Sequence, residues 1–244
     1  MGTVITVTSG KGGTGKTTVT GGVASCLARL GKTVLCIDMD IGLRNLDISL
    51  GLSDRALMDF SDVAEGRCPL VRAAVNHPDL PGLALLTAPM TLSSALTEEA
   101  VRRMLDTARS LYDYVLIDSP AGLGAGFRMA CCGADRAIVV STNDASSLRD
   151  AQRTVGELDF LRQIHLVMNR IQPKLLRQLR TTIDDAMDTA GLPLLGVVPE
   201  DPQVMLSANL GRPLILGGRQ GAANACLNIA KRLEGRRVPI MRIR

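Results

Sequence analysis

Short, continuous apolar runs recur along the chain and alternate with longer segments whose apolar positions are three or four residues apart. Short apolar runs of this kind are typical of parallel strands that are covered on both faces of a sheet. The runs that predict strands are Val4–Thr8, Val34–Ile37, Leu83–Leu86, Tyr114–Ile117, Ala137–Val140, Leu166–Met168 and Leu194–Val198.

The longer segments between these runs have helical spacing. Helices are predicted over Lys16–Leu30, Glu98–Leu111 and Ala145–Leu161, with Thr97 at the start of the second and Gly31 after the end of the first. The repeated alternation of strands and helices predicts the α/β class, a mostly parallel central sheet with helices on both faces. In such sheets ligands bind at the carboxyl ends of the strands.

Composition narrows the class of protein. The 244 residues, 46% of them hydrophobic, suit a single α/β domain over residues 1–235, followed by a short basic-hydrophobic segment at 236–244. The net charge of +4 and the 2% aromatic content do not favour a nucleic-acid surface, so no specific nucleic-acid partner is expected. No apolar run reaches the roughly 18–20 residues that span a bilayer, and no leader pattern opens the chain, so we expect a cytoplasmic protein.

The segment between the first predicted strand and the first predicted helix matches the phosphate-loop pattern G-x-x-x-x-G-K-[ST]. Its glycines let backbone N–H groups turn towards phosphate oxygens, and the following helix directs its positive end at the same anion. Lys16 is predicted to reach the β- and γ-phosphates of ATP, and the Thr17 hydroxyl to bind Mg²⁺. The predicted nucleotide-binding residues of this loop are Gly10, Lys11, Gly12, Gly13, Thr14, Gly15, Lys16, Thr17 and Thr18.

A second lysine, Lys11, follows the first glycine of the loop. The loop thereby resembles that of the deviant Walker A class of P-loop NTPases, and the resemblance implies that this lysine reaches across a dimer interface to the partner's nucleotide. A cation supplied by a partner would strengthen charge stabilisation in a dry site and make hydrolysis depend on dimerisation. Lys11 and Lys16 are therefore both catalytic candidates.

Three aspartates follow predicted strands. Asp38 and Asp40 come after the second strand, and Asp118 ends the strand that begins at Tyr114. An aspartate at the end of an apolar strand is the Walker B arrangement, in which a carboxylate holds the Mg²⁺ shell. We predict that Asp38 and Asp118 lie on the metal side and that Asp40, on a loop that can move, serves catalysis by orienting the attacking water.

Two later strand ends are candidates for binding the base of the nucleotide. Asn169 and Arg170 end one strand, and an asparagine amide offers both a donor and an acceptor to the adenine edge. Pro199, Glu200 and Asp201 end the next strand and are predicted to form the opposite wall. An ordinary turn is the alternative at both positions.

These motifs resemble the septum-site-determining ATPases of the ParA/MinD group over roughly residues 2–234. The most specific stretch is D-x-D-I-G-L-R-N-L-D at 38–47, supported by D-S-P-A-G at 118–122, S-S-L-R-D at 146–150 and V-V-P-E-D at 197–201. The resemblance implies an ATP-bound homodimer, with Asn45 in the first switch region. It also implies a MinC-like division inhibitor and a MinE-like or other topological regulator as partners. The implied partner-binding residues are Ser147, Arg149 and Asp150.

Two departures from the family pattern concern switching and the membrane. Residues 123–127 are unusually rich in glycine. The segment from Lys231 to Arg244 holds six basic residues, but Pro239 interrupts it, so the amphipathic helix that binds membrane in the family is not predicted. Two interpretations of residues 236–244 stay open. They form either a soluble basic end or a short anchor that places the protein peripherally on the anionic inner face of the cell membrane.

Three other functions use the same fold. A flagellar-number or plasmid-partition ATPase would share the chemistry and carry another cargo. A metal-cluster carrier would need paired cysteines, but Cys131 and Cys132 are adjacent, so their side chains diverge on a helix. A scaffold that binds ATP without hydrolysing it would not need Lys11, Asp40 and Asp118 together. The stretch Arg44–Asp47, part of the resemblance, favours a switch ATPase with slow turnover that positions the division site.

Overall fold

The computed structural model describes residues 1–91, 93 and 95–241 of the chain. At its centre is an eight-stranded sheet in the order β3-β4-β2-β5-β1-β6-β7-β8. Neighbouring strands are parallel except β3, which pairs antiparallel with β4 at one edge. The strands are β1 (Thr3–Thr8), β2 (Val34–Asp38), β3 (Val75–Asn76), β4 (Leu83–Leu86), β5 (Tyr114–Asp118), β6 (Arg136–Ser141), β7 (Ile164–Ile171) and β8 (Leu194–Pro199).

Helices connect the strands and cover both faces of the sheet. They are α1 (Lys16–Arg29), α2 (Asn45–Leu50), α3 (Phe60–Ala64), α4 (Leu70–Ala73), α5 (Glu98–Leu111), α6 (Ala125–Cys131), α7 (Ala145–Gly156), α8 (Pro173–Leu179), α9 (Ile183–Ala190), α10 (Pro202–Asn209) and α11 (Gly221–Leu233), with a 3₁₀ helix at Leu214–Gly217. Successive strand residues point to opposite faces, so Leu116 of β5 packs with α1 and α11, whereas Val115 and Ile117 pack with α5. The predicted α/β class is confirmed.

All seven predicted strands are present, and the differences lie at short or terminal elements. The edge strand Val75–Asn76 was not predicted, because two residues are too few for a periodic pattern and β4 provides their pairing. The third predicted helix ends at Gly156 instead of Leu161, since glycine is a weak helix former and a turn follows it. Thr97 caps α5 as predicted, accepting the N–H of Ala100 at 3.2 Å.

The strand register gathers polar strand ends at one edge of the sheet. Asp118 of β5 lies opposite Asp38 of β2 and opposite Val7 of β1. The loop from β1 to α1 leaves the sheet at this edge, and the parallel strands β7 and β8 end on the same side. The topology therefore assembles residues that are far apart in sequence into one candidate site.

Residues 236–241 fold back against the domain after α11. The guanidinium of Arg232 donates to the backbone carbonyls of Leu195 at 2.8 Å, Val238 at 2.9 Å and Pro239 at 2.7 Å. The side chain of Met241 packs against the core. The rest of the predicted basic-hydrophobic segment, residues 242–244, lies outside the described residues. Within the described ranges, every helix is too short or too polar to cross a membrane.

Candidate functional site

The loop that joins β1 to α1 turns at two glycines. Gly13 and Gly15 have φ values of +80° and +88°, in the left-handed region that other residues rarely adopt. Gly15 directly precedes α1, so the loop meets the helix N-terminus, where free N–H groups and the helix dipole favour an anion. A β-carbon on Gly15 would also collide with the amide of Asn169. This conformation is the one that a phosphate-binding loop needs.

Lys16 begins α1 and has a buried side chain, with only 8% of the residue exposed. Its Nζ donates to the hydroxyl of Ser9 at 3.1 Å. Burial lowers the pKa of this ammonium, and the carboxylates of Asp118 and Asp40 oppose that shift. Its hydrogen-bond partner among the described residues is a neutral hydroxyl, so an incoming phosphate would supply the charge compensation that the desolvated ammonium lacks.

Asp118 lies at the end of β5 and is 1% exposed. Its carboxylate accepts hydrogen bonds from hydroxyl groups of α1. Oγ1 of Thr17 lies 2.6 Å from its Oδ2, and Oγ1 of Thr20 lies 3.3 Å from its Oδ1. Burial raises the pKa of Asp118 to about 7, although the bond from Thr17 opposes the shift. A carboxylate beside a hydroxyl is a hard-oxygen pair that suits Mg²⁺, whose remaining ligands are waters and phosphate oxygens in sites of this kind.

The carboxylate of Asp38 holds the loop that follows β2. Oδ1 accepts the N–H of Asp40 at 2.9 Å, and Oδ2 accepts the N–H of Leu46 at 3.1 Å. Burial raises the pKa of Asp38 to about 6, and these two backbone bonds oppose the shift. Asp38 therefore lies beside the predicted metal ligand Asp118, but both of its oxygens accept backbone bonds from the loop that carries Asp40. The sequence pattern did not indicate this second role of Asp38.

A cavity of about 770 Å³ opens beside the phosphate loop. It gathers most of the predicted nucleotide-binding residues around one space. The half-buried Asp40 faces it, and burial raises the pKa of this carboxyl while Lys16 lowers it. The predicted residues that line the cavity are Gly12, Gly13, Gly15, Lys16, Thr17, Thr18, Asp40, Asn45, Asn169, Arg170, Pro199, Glu200 and Asp201.

Lys11 lies outside this cavity, on the wall of a neighbouring cleft of about 370 Å³. Its Nζ donates to Oγ of Ser146 at 2.8 Å and lies 3.5 Å from Oδ1 of Asp144, both at the start of α7. The side chain is 46% exposed. Gly10, next to it, packs so closely on the backbone of Asp150 that a β-carbon would collide. The second lysine of the loop is thus held on α7.

Asn169 connects the end of β7 to the phosphate loop. Its Nδ2 donates to the backbone carbonyl of Thr14 at 2.8 Å. The assignment of the amide follows from chemistry, because a carbonyl oxygen only accepts and must face the NH₂ group. The Oδ1 atom, an acceptor, and the second N–H of Nδ2, a donor, are therefore the groups of this side chain left for a ligand.

The other predicted base-binding residues are held in different ways. Nε of Arg170 donates to Oε2 of Glu200 at 2.8 Å, an ion pair that joins the ends of β7 and β8. The carboxylate of Asp201 accepts the backbone N–H of Gln203 and of Ala222, each at 2.9 Å, so it caps two helices at the cavity wall. The ion pair and the two helix caps therefore fix the part of the cavity wall that is predicted to bind the base of the nucleotide.

One of the partner-binding candidates on α7 has a buried side chain. Ser147 is 3% exposed, and its Oγ contacts the hydroxyl of Ser141 at 3.1 Å and accepts the N–H of Thr142 at 3.2 Å. Its side chain therefore faces inward and joins α7 to the end of β6. Arg149 is exposed and Asp150 is half-exposed, so these two remain available on the surface of the helix.

The glycine-rich segment after Asp118 forms the start of α6. Gly124 precedes the first turn, and Phe127 is buried beneath it. A β-carbon on Gly126 would lie 2.8 Å from the ring of Pro120, so glycine lets the helix pack against that proline. The segment is thus packed against the loop that follows the Walker B candidate.

The two adjacent cysteines point to different neighbours. Sγ of Cys131 lies 3.9 Å from Oγ1 of Thr6 in the core, whereas Sγ of Cys132 lies 3.2 Å from the carbonyl of Met129. Within the described ranges, no three His, Cys, Asp or Glu side chains are grouped to hold a metal ion. The thiols of Cys131 and Cys132 therefore do not converge on one point within the subunit.

Several residues of the site were not found by sequence reasoning. Ser9 and Thr20 contact Lys16 and Asp118, and Asp144 with Ser146 holds Lys11. Thr20 was detectable in principle, because it lies three residues after Thr17 on the same helix face. Asp144 was detectable as a helix N-cap.

Comparison with known proteins places this geometry in a family. The chain matches the CobQ/CobB/MinD/ParA nucleotide binding domain over residues 5–214. It is 40% identical to the septum site-determining protein MinD of Synechocystis sp., over 99% of this chain and 92% of that protein. It is also 40% identical to the Bacillus subtilis protein of that name, over 98% of this chain and 92% of that protein.

Solved structures agree. The fold is similar to the MinC:MinD cell division protein complex of Aquifex aeolicus, with a TM-score of 0.92, 38% identity and 98% of each chain covered. It is also similar to septum site-determining protein MinD complexed with Mg-ADP from Pyrococcus horikoshii, with a TM-score of 0.84, 28% identity and 96% of each chain covered. Agreement of this extent in sequence and in fold shows that the chain belongs to the MinD family of septum site-determining proteins.

Proposed function

We propose that the protein is an ATP-dependent dimerising switch that places the bacterial division site. Two subunits bind ATP and Mg²⁺, close face to face, and separate after hydrolysis. The observation that carries the proposal is the position of Lys11. It belongs to the phosphate loop, yet its ammonium is held outside the cavity of its own subunit, where it is available to a second subunit.

Within one subunit, the cavity supplies the groups that phosphoryl transfer to water requires. Lys16 neutralises charge on the β- and γ-phosphates. Thr17 and Asp118 are the residues that would hold Mg²⁺, which supplies charge neutralisation at the phosphate oxygens when bound. Asp40 faces the same cavity and orients the attacking water. Asp38 fixes the loop of Asp40 through two backbone bonds.

Dimerisation supplies the charge that one subunit lacks. To reach a partner's triphosphate, Lys11 leaves its contacts with Ser146 and Asp144, which are half exposed to solvent. The interaction of its ammonium with phosphate is stronger, because the dimer interface excludes water. A lone subunit lacks the added cation of a partner's Lys11 at its phosphates, so its turnover is slow. Residence time in the ATP state is then the output of the switch.

Lys11→Ala is expected to lower both ATP-dependent dimerisation and turnover. Light scattering should give a monomer mass for the wild type with ADP, a dimer mass with ATP, and mostly monomer for the variant with ATP. Lys231→Ala, a lysine on α11, is the matched control and should dimerise like the wild type. A mass that does not change with nucleotide in the wild type would rule out the switch.

The position of Asn169 favours ATP over GTP. One N–H of its Nδ2 is used by the carbonyl of Thr14, and Oδ1 is the acceptor that we propose for the base. Adenine presents an amino group at position 6, which donates to this acceptor, whereas guanine presents a carbonyl oxygen there, which does not. The same side chain thus links recognition of the base to the conformation of the phosphate loop.

Asn169→Ala is expected to reduce the preference for ATP over GTP by about 5- to 30-fold, the equivalent of about 1–2 kcal/mol for one hydrogen bond to a ligand. Calorimetric titration of both nucleotides measures the ratio. Asn209→Ala changes an exposed asparagine on α10 and should leave the ratio unchanged. An unaltered ratio in Asn169→Ala would show that another group selects the base.

Exposed residues of α7 are the proposed contact for a MinC-like division inhibitor. Arg149 and Asp150 offer one charge of each sign on the helix that also holds Lys11 through Ser146. A partner bound to α7 would therefore lie next to Lys11, which must leave Ser146 to reach the second subunit. A solved relative is a MinC:MinD complex, which supports a partner of this class. A MinE-like or other topological regulator would act on the same helix by changing that release.

We also propose that residues 236–244 give weak, salt-sensitive binding to an anionic membrane. Arg236, Arg237 and Ile240 are exposed, whereas Met241 packs against the core. Attraction of the two arginines to anionic lipid therefore contributes more to membrane binding than insertion of apolar side chains. One copy would bind marginally, and two copies on an ATP dimer would bind together through effective concentration.

The double variant Arg236→Glu with Arg237→Glu is expected to lose ATP-dependent co-sedimentation with liposomes of anionic lipid. It leaves the carbonyls held by Arg232 in place, so the fold-back of this segment is kept. Arg72→Glu with Arg103→Glu makes the same change in net charge at other exposed sites and should sediment like the wild type. Equal sedimentation of both double variants would show that this segment is not the anchor.

A further inference from the structure

Thr20 places a second hydroxyl on Asp118 that the roles above do not use. It lies on α1 three residues after Thr17, so both hydroxyls project from one face of the helix towards the end of β5. Thr20 is fully buried. Its Oγ1 is 3.3 Å from Oδ1 of Asp118, whereas Oγ1 of Thr17 is 2.6 Å from Oδ2. Each carboxylate oxygen therefore has a hydroxyl of its own.

The hydroxyl of Thr20 has one proton and two neighbouring acceptors. The other acceptor is the backbone carbonyl of Lys16, 2.9 Å away and one helical turn earlier. In a regular helix that carbonyl already accepts a backbone N–H, and an ionised carboxylate is a stronger acceptor than a carbonyl. Ionised Asp118 therefore competes well for the proton, although Lys16 is the nearer acceptor.

We propose that Thr20 is a positioning residue for the metal site. Its hydroxyl holds Oδ1 of Asp118, which keeps the carboxylate from rotating and presents Oδ2, on the Thr17 side, towards Mg²⁺. Partners that orient a metal-binding carboxylate set its affinity for the ion. This inference rests on the proposed function, because a Mg²⁺-nucleotide complex is what the site would hold.

Thr20→Val removes the hydroxyl and nearly keeps the shape of the side chain. Mn²⁺ is the probe, titrated into the ADP-loaded protein and followed by electron paramagnetic resonance. We expect the affinity for Mn²⁺ to fall about 10- to 100-fold, as is usual when an outer partner of a metal site is removed. Binding of ADP in the presence of EDTA should be unchanged. Thr20→Ser, which restores the hydroxyl, should regain the wild-type affinity for Mn²⁺.

A purely structural role for Thr20 predicts a different result, and Thr154→Val is the control for it. Thr154 is also fully buried, and its Oγ1 donates to a backbone carbonyl one turn earlier, that of Asp150 at 2.8 Å. It belongs to α7 and should keep wild-type Mn²⁺ affinity when changed.

Wild-type affinity in Thr20→Val, an equal loss in Thr154→Val, or no recovery in Thr20→Ser would each overturn the inference. If Thr20→Val fails to fold, Thr20→Ala is titrated instead, and wild-type affinity in that variant overturns the inference equally. Failure of the wild type itself to bind nucleotide would instead refute the proposed function.

Discussion

Lys16→Ala is expected to weaken ATP binding by roughly 30- to 4000-fold. The ammonium of Lys16 is buried beside the phosphate loop, and its hydrogen-bond partner among the described residues is the neutral hydroxyl of Ser9. Removing one partner of a buried, charge-assisted pair costs about 2–5 kcal/mol, which corresponds to this loss. Isothermal titration of Mg-ATP into the nucleotide-free variant measures it.

The matched control for this experiment is Lys32→Ala. Lys32 precedes β2 at the amino-terminal ends of the strands, opposite the candidate site. It pairs with Glu234 at 2.7 Å on the surface. It should bind ATP like the wild type, because a surface ion pair contributes little and this one is far from the cavity. Wild-type affinity in Lys16→Ala, with both proteins folded, would mean that the loop after β1 does not bind phosphate.

Asp40→Ala is expected to lower ATP turnover about 100- to 10,000-fold while ATP still binds. A side chain that orients or deprotonates a reacting group contributes a factor of this size. Asp40 lines the cavity, but it makes no ion pair with Lys16 among the described residues, so its removal leaves the phosphate contacts in place. Phosphate release measures turnover, and light scattering should show a dimer that persists with ATP.

Asp159→Ala serves as the control for the loss of one carboxylate. Asp159 is exposed in the turn after α7 and should change neither turnover nor mass. If Asp40→Ala hydrolyses ATP at the wild-type rate, the attacking water is oriented by another group. If it fails to bind ATP, Asp40 is needed for nucleotide binding or for the structure of the site as well as for turnover.

The strands and the phosphate loop could be predicted because they depend on local patterns. Each parallel strand is buried on both faces, so it is a short apolar run, and the loop needs glycine at Gly13 and Gly15 for its positive φ values. The strand Val75–Asn76 could not be predicted, since it exists only through pairing with β4.

The finer contacts of the site depend on distances between segments that the sequence does not encode locally. The contact of Lys11 with Ser146 joins residues 135 positions apart. Ser147 was named as a partner-binding residue because the motif around it is shared with the family, and its hydroxyl turns inward to the end of β6. The contacts with Ser141 and Thr142 determine that the side chain of Ser147 points into the domain, and a sequence motif does not reveal them.

The carboxylate of Asp38 has a mechanical consequence for catalysis. It accepts the N–H groups of Asp40 and Leu46, so it ties together both ends of the loop between them. A loop closed at its base can tilt about that base, but its ends cannot separate until a bond to Asp38 breaks. Asp40 sits at one of the tied ends, so its backbone is anchored to the end of β2. The carboxyl group that we propose orients the attacking water is thereby attached to the central sheet.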